Sequence, residues 1–186
     1  MEEFDIILVY SNNFVSKIIK FYSKYIKNYL HSDYYSHCGI VVNKKYLSKY
    51  VDNDNYYVLE CTLNKHKNSK VIKKRDGVIL TPIKDFINNK KYCILRLKSN
   101  YKNNIKDKDV FDFFIDTINN PYDKCICSNV LFNFNCNIRA HSCSSLVIKL
   151  LQKLNIIDSS IQPKKSIPMS FICDKKLAKY FYKVIN

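Results

Sequence analysis

His141-Ser-Cys-Ser-Ser-Leu-Val-Ile-Lys-Leu-Leu-Gln-Lys-Leu154 carries the clearest helical period in the chain. Leu146, Val147, Leu150, Leu151 and Leu154 fall on one face at spacings of three and four. The pattern predicts a helix from about Ser142 to Asn155, with Ser142 as N-cap, because a serine hydroxyl there accepts from a first-turn amide. Cys143 belongs to the apolar face by spacing but sits in the first turn. A thiol in that place feels the positive end of the helix dipole and unpaired amide hydrogens, which favour the thiolate and can receive an oxyanion. The competing reading is a packing cysteine, since free thiols are among the most buried side chains.

Upstream, the sequence reads mostly as strands. Phe4-Asp-Ile-Ile-Leu-Val-Tyr10 is short, β-branched and followed by the turn-like Ser11-Asn-Asn13. Further strands are expected at His37–Asn43, Tyr56–Thr62, Gly77–Thr81 and Tyr92–Leu97, separated by loops rich in lysine and asparagine. Helices are expected over residues 14–30 and over Asp107–Asn119. The second would place Val110, Phe111, Phe114, Ile115 and Ile118 on one face, before the Asn120-Pro-Tyr-Asp123 break. A short helix near Asp174–Tyr182 closes the chain. This order gives the α+β class. No linker or repeat divides the 186 residues, which are expected to form a single domain over 1–186.

A thiolate nucleophile needs a base and a group that orients it. His37 opens a strand and shares a face with Gly39 and Val41, and a glycine there leaves room for a close approach. His31 and His66 lie in polar loops, and His141 is too near Cys143 in sequence to reach it easily. Glu60 stands inside an otherwise apolar strand, where a carboxylate is costly to bury without a partner. Pairing of strands 37–43 and 56–62 would set it beside His37.

The ordered set Asp5-Ile-Ile, Ser36-His-Cys-Gly-Ile-Val, Val58-Leu-Glu-Cys-Thr, Asn120-Pro-Tyr-Asp and Ser142-Cys-Ser-Ser-Leu-Val resembles the circularly permuted, NlpC-type papain-like cysteine hydrolases. That group includes bacterial YiiX-type proteins and poxvirus homologues, and the resemblance spans roughly residues 4–155. It implies a permuted papain-like fold: an antiparallel sheet or barrel, with the nucleophile at the start of a helix in the C-terminal half. It further implies Cys143 as nucleophile, His37 as base and Glu60 as orienting acid, with Tyr122 or Asp123 near the site. Ser142 and Ser144 flank the nucleophile and are candidates for substrate or oxyanion support. Two departures stand out. Relatives often carry glycine before the first strand's aspartate, where this chain has Phe4, and the cysteine-rich stretch Cys125–Cys136 is unusual.

Composition bounds the rest. Apolar residues make up 47% of the chain, which excludes wholesale disorder, and no apolar run approaches the roughly 18–20 residues of a membrane span. The acidic start, Met1-Glu-Glu-Phe-Asp5, is unlike a secretory leader, so a cytoplasmic, reducing setting with mostly free thiols is expected. The formal charge is +15, yet only three of 31 basic residues are arginine, few for a nucleic-acid reader. The abundance of lysine, asparagine and isoleucine suits an AT-rich genome and, with the poxvirus relatives, a large DNA virus; the compartment would then be host cytoplasm or virion.

Cys125, Cys127, Cys136 and His141 are a rival zinc set, although Cys-x-Cys is not the usual knuckle spacing. No cofactor is expected. Residues 14–30 interleave aromatics with Lys17, Lys20, Lys24 and Lys27. They read first as a helix docked on the sheet with solvated lysines, second as an anionic-membrane surface suited to a lipid substrate, third as a nucleic-acid contact. The expected activity is cleavage or transfer at an amide or ester bond through a thioester, on a peptide or a lipid acyl group. The alternative is a papain-like scaffold whose site is unused and which serves as a viral binding or virion-associated protein.

Overall fold

A computed structural model describes residues 1–12, 14–46, 56–63, 76–103, 105–118, 120–123 and 140–184. Six strands form one antiparallel sheet: β1 (Ile6–Val9), β2 (His37–Asn43), β3 (Tyr56–Thr62), β4 (Gly77–Pro82), β5 (Tyr92–Leu97) and β6 (Phe181–Val184). Their spatial order is β4-β3-β2-β1-β5-β6, so β4 and β6 are edges and the described sheet is open rather than a barrel. All four residues of β1 are buried, as its unbroken apolar run requires of a central strand covered on both faces.

Helix α1 (Phe14–Phe21) follows β1, α2 (Ile83–Ile87) follows β4, and α3 (Asp107–Thr117) and α4 (Cys143–Lys153) follow β5. Two four-residue helices, α5 (Ser170–Cys173) and α6 (Lys175–Ala178), precede β6. Helix α4 packs on β2 and β3. Leu146, Val147, Ile148, Leu150 and Leu151 are all fully buried, so α4 lies inside the main core rather than on its surface. The opposite sheet face carries a smaller cluster of Ile7, Val9, Val41 and Val58, closed by Phe86 of α2.

Several elements differ from the sequence expectation, each for a visible reason. The first strand begins at Ile6, because Phe4 adopts φ +66° and turns the chain into the sheet. Here a buried aromatic holds a left-handed conformation that costs roughly 1–2 kcal/mol. Asp5 is wholly buried and receives Arg96 Nε and Nη2 at 3.1 Å each, a paired charge that locks β1 to β5. The helix expected over 14–30 is α1 followed by a π-helical turn, Tyr22–Ile26, with Lys27 N–H bonded to Tyr22 at 2.9 Å; Asn28 at φ +52° ends it. Its inner face is Ile19, Tyr22 and Ser23.

Helix α3 buries Val110, Phe113, Phe114 and Thr117, leaving Phe111 and Ile115 exposed, so its inward face is rotated from the one expected. The expected helix near Asp174–Tyr182 is only α6. Phe181–Val184 instead pairs with β5 as an edge strand. Cys125, Cys127 and Cys136 of the zinc alternative lie outside the described residues.

Candidate active site

The register of β2 and β3 decides what can meet. Gly39 lies opposite Glu60, so His37 and Glu60 share a face one pleat apart, within reach of long side chains. Their side chains do meet: His37 Nε2 is 2.6 Å from Glu60 Oε2. Glu60 is wholly buried, and its other oxygen accepts a hydrogen bond from the Thr81 hydroxyl on β4. A buried carboxylate is thus held between a threonine and an imidazole, an arrangement that fixes the ring and favours its cationic form.

Gly39 makes this packing possible. A Cβ there would stand 2.3 Å from Val58 Cγ1 and 3.3 Å from Phe86 Cζ. Phe86 in turn lies against the His37 ring at a centroid distance of 5.6 Å. The room left by the glycine is therefore taken by an aromatic that backs the imidazole.

Cys143 is the first residue of α4. Ser142 caps the helix with a capping box: its hydroxyl accepts from Ser145 N–H at 3.2 Å, and the Ser145 hydroxyl accepts from Ser142 N–H at 2.8 Å. The Ser144 hydroxyl donates to Ser166 carbonyl at 2.6 Å. Both serine hydroxyls are thus used in the scaffold.

The Cys143 sulfur interacts with Cys38 and with His37. Hydrogen bonds from the Cys38 thiol, then the charge and hydrogen bond of His37 and the Cys38 backbone N–H, hold the Cys143 thiol well below its ordinary range against the opposing effect of burial. For His37 burial alone would lower the pKa. The charge and hydrogen bond of Cys143, followed by those of Glu60, outweigh it and raise the imidazole to about 10. Cys38 is driven the other way, well above a normal thiol, by burial and by Cys143, so it stays protonated and donates. The structure therefore brings His37, Glu60 and Cys143 together in one contiguous network.

Tyr122 and Asp123 lie beside it. Asp123 N–H donates to His141 carbonyl at 2.8 Å and His141 N–H to Pro121 carbonyl at 3.1 Å, a short bridge that leads the chain into α4. The Cys61 thiol donates to the same His141 carbonyl at 3.1 Å. His141 is buried with Nδ1 unpartnered and no group of metal ligands gathers around it among the described residues. A groove opens at the ends of β1, β2 and β3, lined by Ser11, Val15, Ile19, Ser36, His37 and Tyr122 among others. His37 retains 18% side-chain exposure to it, whereas Cys143 is 1% exposed and does not line it.

Three participants were not assigned from sequence: Thr81, Cys38 and Phe86. The Thr81 signal was weak, a hydroxyl in an apolar strand whose register was unknown. Cys38 was adjacent to His37, but on a strand neighbours point to opposite faces, which hides a meeting that the strand end permits.

A family model described as permuted papain-like amidase enzyme, YaeF/YiiX, C92 family, matches residues 5–170. The chain belongs to this family, and the open antiparallel sheet with a buried helix across it agrees with a papain-like hydrolase. No curated protein matches the chain.

Proposed function

We propose that the protein is a cysteine amidase or acyl hydrolase in which Cys143, His37 and Glu60 act in sequence. The observation that carries this reading is the continuous contact from Thr81 through Glu60 and His37 to Cys143. The Cys143 thiolate attacks the carbonyl carbon of an amide or ester, and the first-turn amides of α4 receive the developing oxyanion. The His37 imidazolium gives its proton to the departing nitrogen or oxygen, leaving an acyl thioester. His37, now neutral, takes a proton from water as it attacks, and the carboxylic acid and the thiolate are released. If a second nucleophile replaces water, the same site transfers the acyl group. Tyr122, in the groove wall with His37, would contact the substrate.

The rival, a binding scaffold with an unused site, draws on the burial of the Cys143 sulfur. One experiment separates them. Iodoacetamide at pH 6, read by mass spectrometry across all thiols, is expected to modify Cys143 first, and His37→Ala to remove that preference. Cys173 is the internal control, half-buried with a thiol pKa raised by burial. Labelling of Cys143 no faster than Cys173 would favour the scaffold reading.

A further inference from the structure

The outer surface from α1 through its π-helical turn to Leu30 carries the most exposed large apolar side chains among the described residues. Phe21, Tyr25, Ile26 and Leu30 are 56%, 61%, 56% and 86% exposed. The other exposed large apolar side chains among the described residues, Phe111 and Ile115 of α3 among them, are each less than half exposed. The Phe21 and Tyr25 rings stand 4.9 Å apart, and the wider π-turn lets Tyr25 and Ile26 both face outward beside Phe21. An apolar patch of this kind on a surface marks something that covers it.

The charges around the patch say what. Lys17, Lys20, Lys24 and Lys27 border it, and no aspartate or glutamate occurs between Asp5 and Asp33. None of the four lysines pairs with a carboxylate among the described residues. The Lys20 ammonium lies over the Tyr10 ring, 3.3 Å from its centroid, at the edge of this surface. Aromatic and aliphatic tips flanked by unpaired lysines match the two layers of an anionic bilayer surface, acyl chains below and phosphates above. On the inner side of the same helix, Val15 and Ile19 line the groove that reaches His37.

We propose that this surface docks the protein on an anionic lipid bilayer, with Phe21, Tyr25, Ile26 and Leu30 in the acyl region and the four lysines at the headgroups. The groove would then open at the membrane, making its substrate a lipid or lipid-anchored acyl group; that second clause rests on the catalytic reading, and the docking does not.

The full chain contains no tryptophan, so Phe21→Trp provides a single reporter. In the Cys143→Ala background it is mixed with vesicles of phosphatidylcholine, alone or with about 30% phosphatidylserine. Docking predicts binding to the anionic vesicles with a blue-shifted tryptophan emission. It also predicts at least about a tenfold loss of binding by the tryptophan-free Phe21→Ser/Ile26→Ser variant in the same background, whose native circular dichroism establishes that it is folded. Binding without a blue shift, or unchanged by the serine substitutions, would reflect the net positive charge alone and overturn the proposal. So would a dimer in light scattering that the same substitutions dissolve, since the patch would then be covered by a second copy. These readouts do not depend on Cys143, so a failed labelling experiment leaves them interpretable.

Discussion

Thr81 sets the limit on how firmly the imidazole is held. Its hydroxyl donates to the Glu60 carboxylate, which in turn contacts His37, and both Thr81 and Glu60 lie out of water. Thr81→Val keeps the shape and removes one donor to a buried charge, for which a loss of about 1–3 kcal/mol of stability is expected. A positioning role predicts something further. If Glu60 loosens, His37 is a weaker base and the Cys143 thiolate less favoured, so the acid limb of the alkylation pH profile should move to higher pH. At pH 10 the rate should be unchanged, and Thr81→Ser should restore the wild-type profile. A lower melting temperature with the pH profile unmoved would make Thr81 structural only. In the wild type, turnover should fall on the alkaline side as His37 loses its proton through about 10. At this scale Cys143, His37 and Glu60 were candidates from the sequence because each is an unusual residue for its local pattern. Thr81 and Cys38 are ordinary strand residues and became visible only with the register.

Strands β2 and β3 depend on one missing side chain. Gly39 faces Glu60 across the ladder, and a methyl there would meet Val58 Cγ1 at 2.3 Å and Leu59 carbonyl at 3.1 Å. The ladder cannot spread to admit it without losing its own hydrogen bonds, so Gly39→Ala should destabilise by about 1–3 kcal/mol in urea denaturation. Val58→Ala opens the same space, and the double variant should recover part of the loss; strict additivity of the two changes would place the strain elsewhere. The elements most legible in the sequence were those with an unambiguous period. Strands β2, β3 and β5 have the bounds that their apolar runs indicated, and α4 was readable from its leucines. What was not legible depends on tertiary partners. Nothing in Phe181–Val184 distinguishes a helix end from an edge strand until β5 offers a free edge. Phe111 and Phe113 are equally apolar, and only docking decides which of them α3 turns inward.

The whole molecule is joined at the short bridge of residues 120–123 and 140–142. Val78 N–H bonds to Asn120 carbonyl at 3.0 Å, anchoring the bridge to edge strand β4. Cys61 ties it to β3 through His141, whose own successor Ser142 caps α4. Gly77, at φ +146°, lets the chains approach, since a Cβ there would stand 2.2 Å from Asn120 carbonyl oxygen. His141 is therefore buried where sheet, bridge and helix converge. Burial first, then the positive charges of Lys149 and Lys164, lower its pKa to about 4. A histidine whose folded pKa lies below its unfolded value of 6.5 contributes stability that is complete above pH 6.5 and lost as pH falls toward about 4. The unfolded chain takes up a proton in that window and the folded one does not. The loss attributable to His141 should reach about 3 kcal/mol. Acidic groups titrate in the same range, so the quantity that isolates His141 is the difference between wild type and His141→Gln. Urea midpoints for the two proteins should converge as pH is lowered from 7 to 4, the wild type falling more steeply. Parallel curves would mean that the imidazole already accepts a proton in the folded state, and that the junction opens to water well before the molecule unfolds.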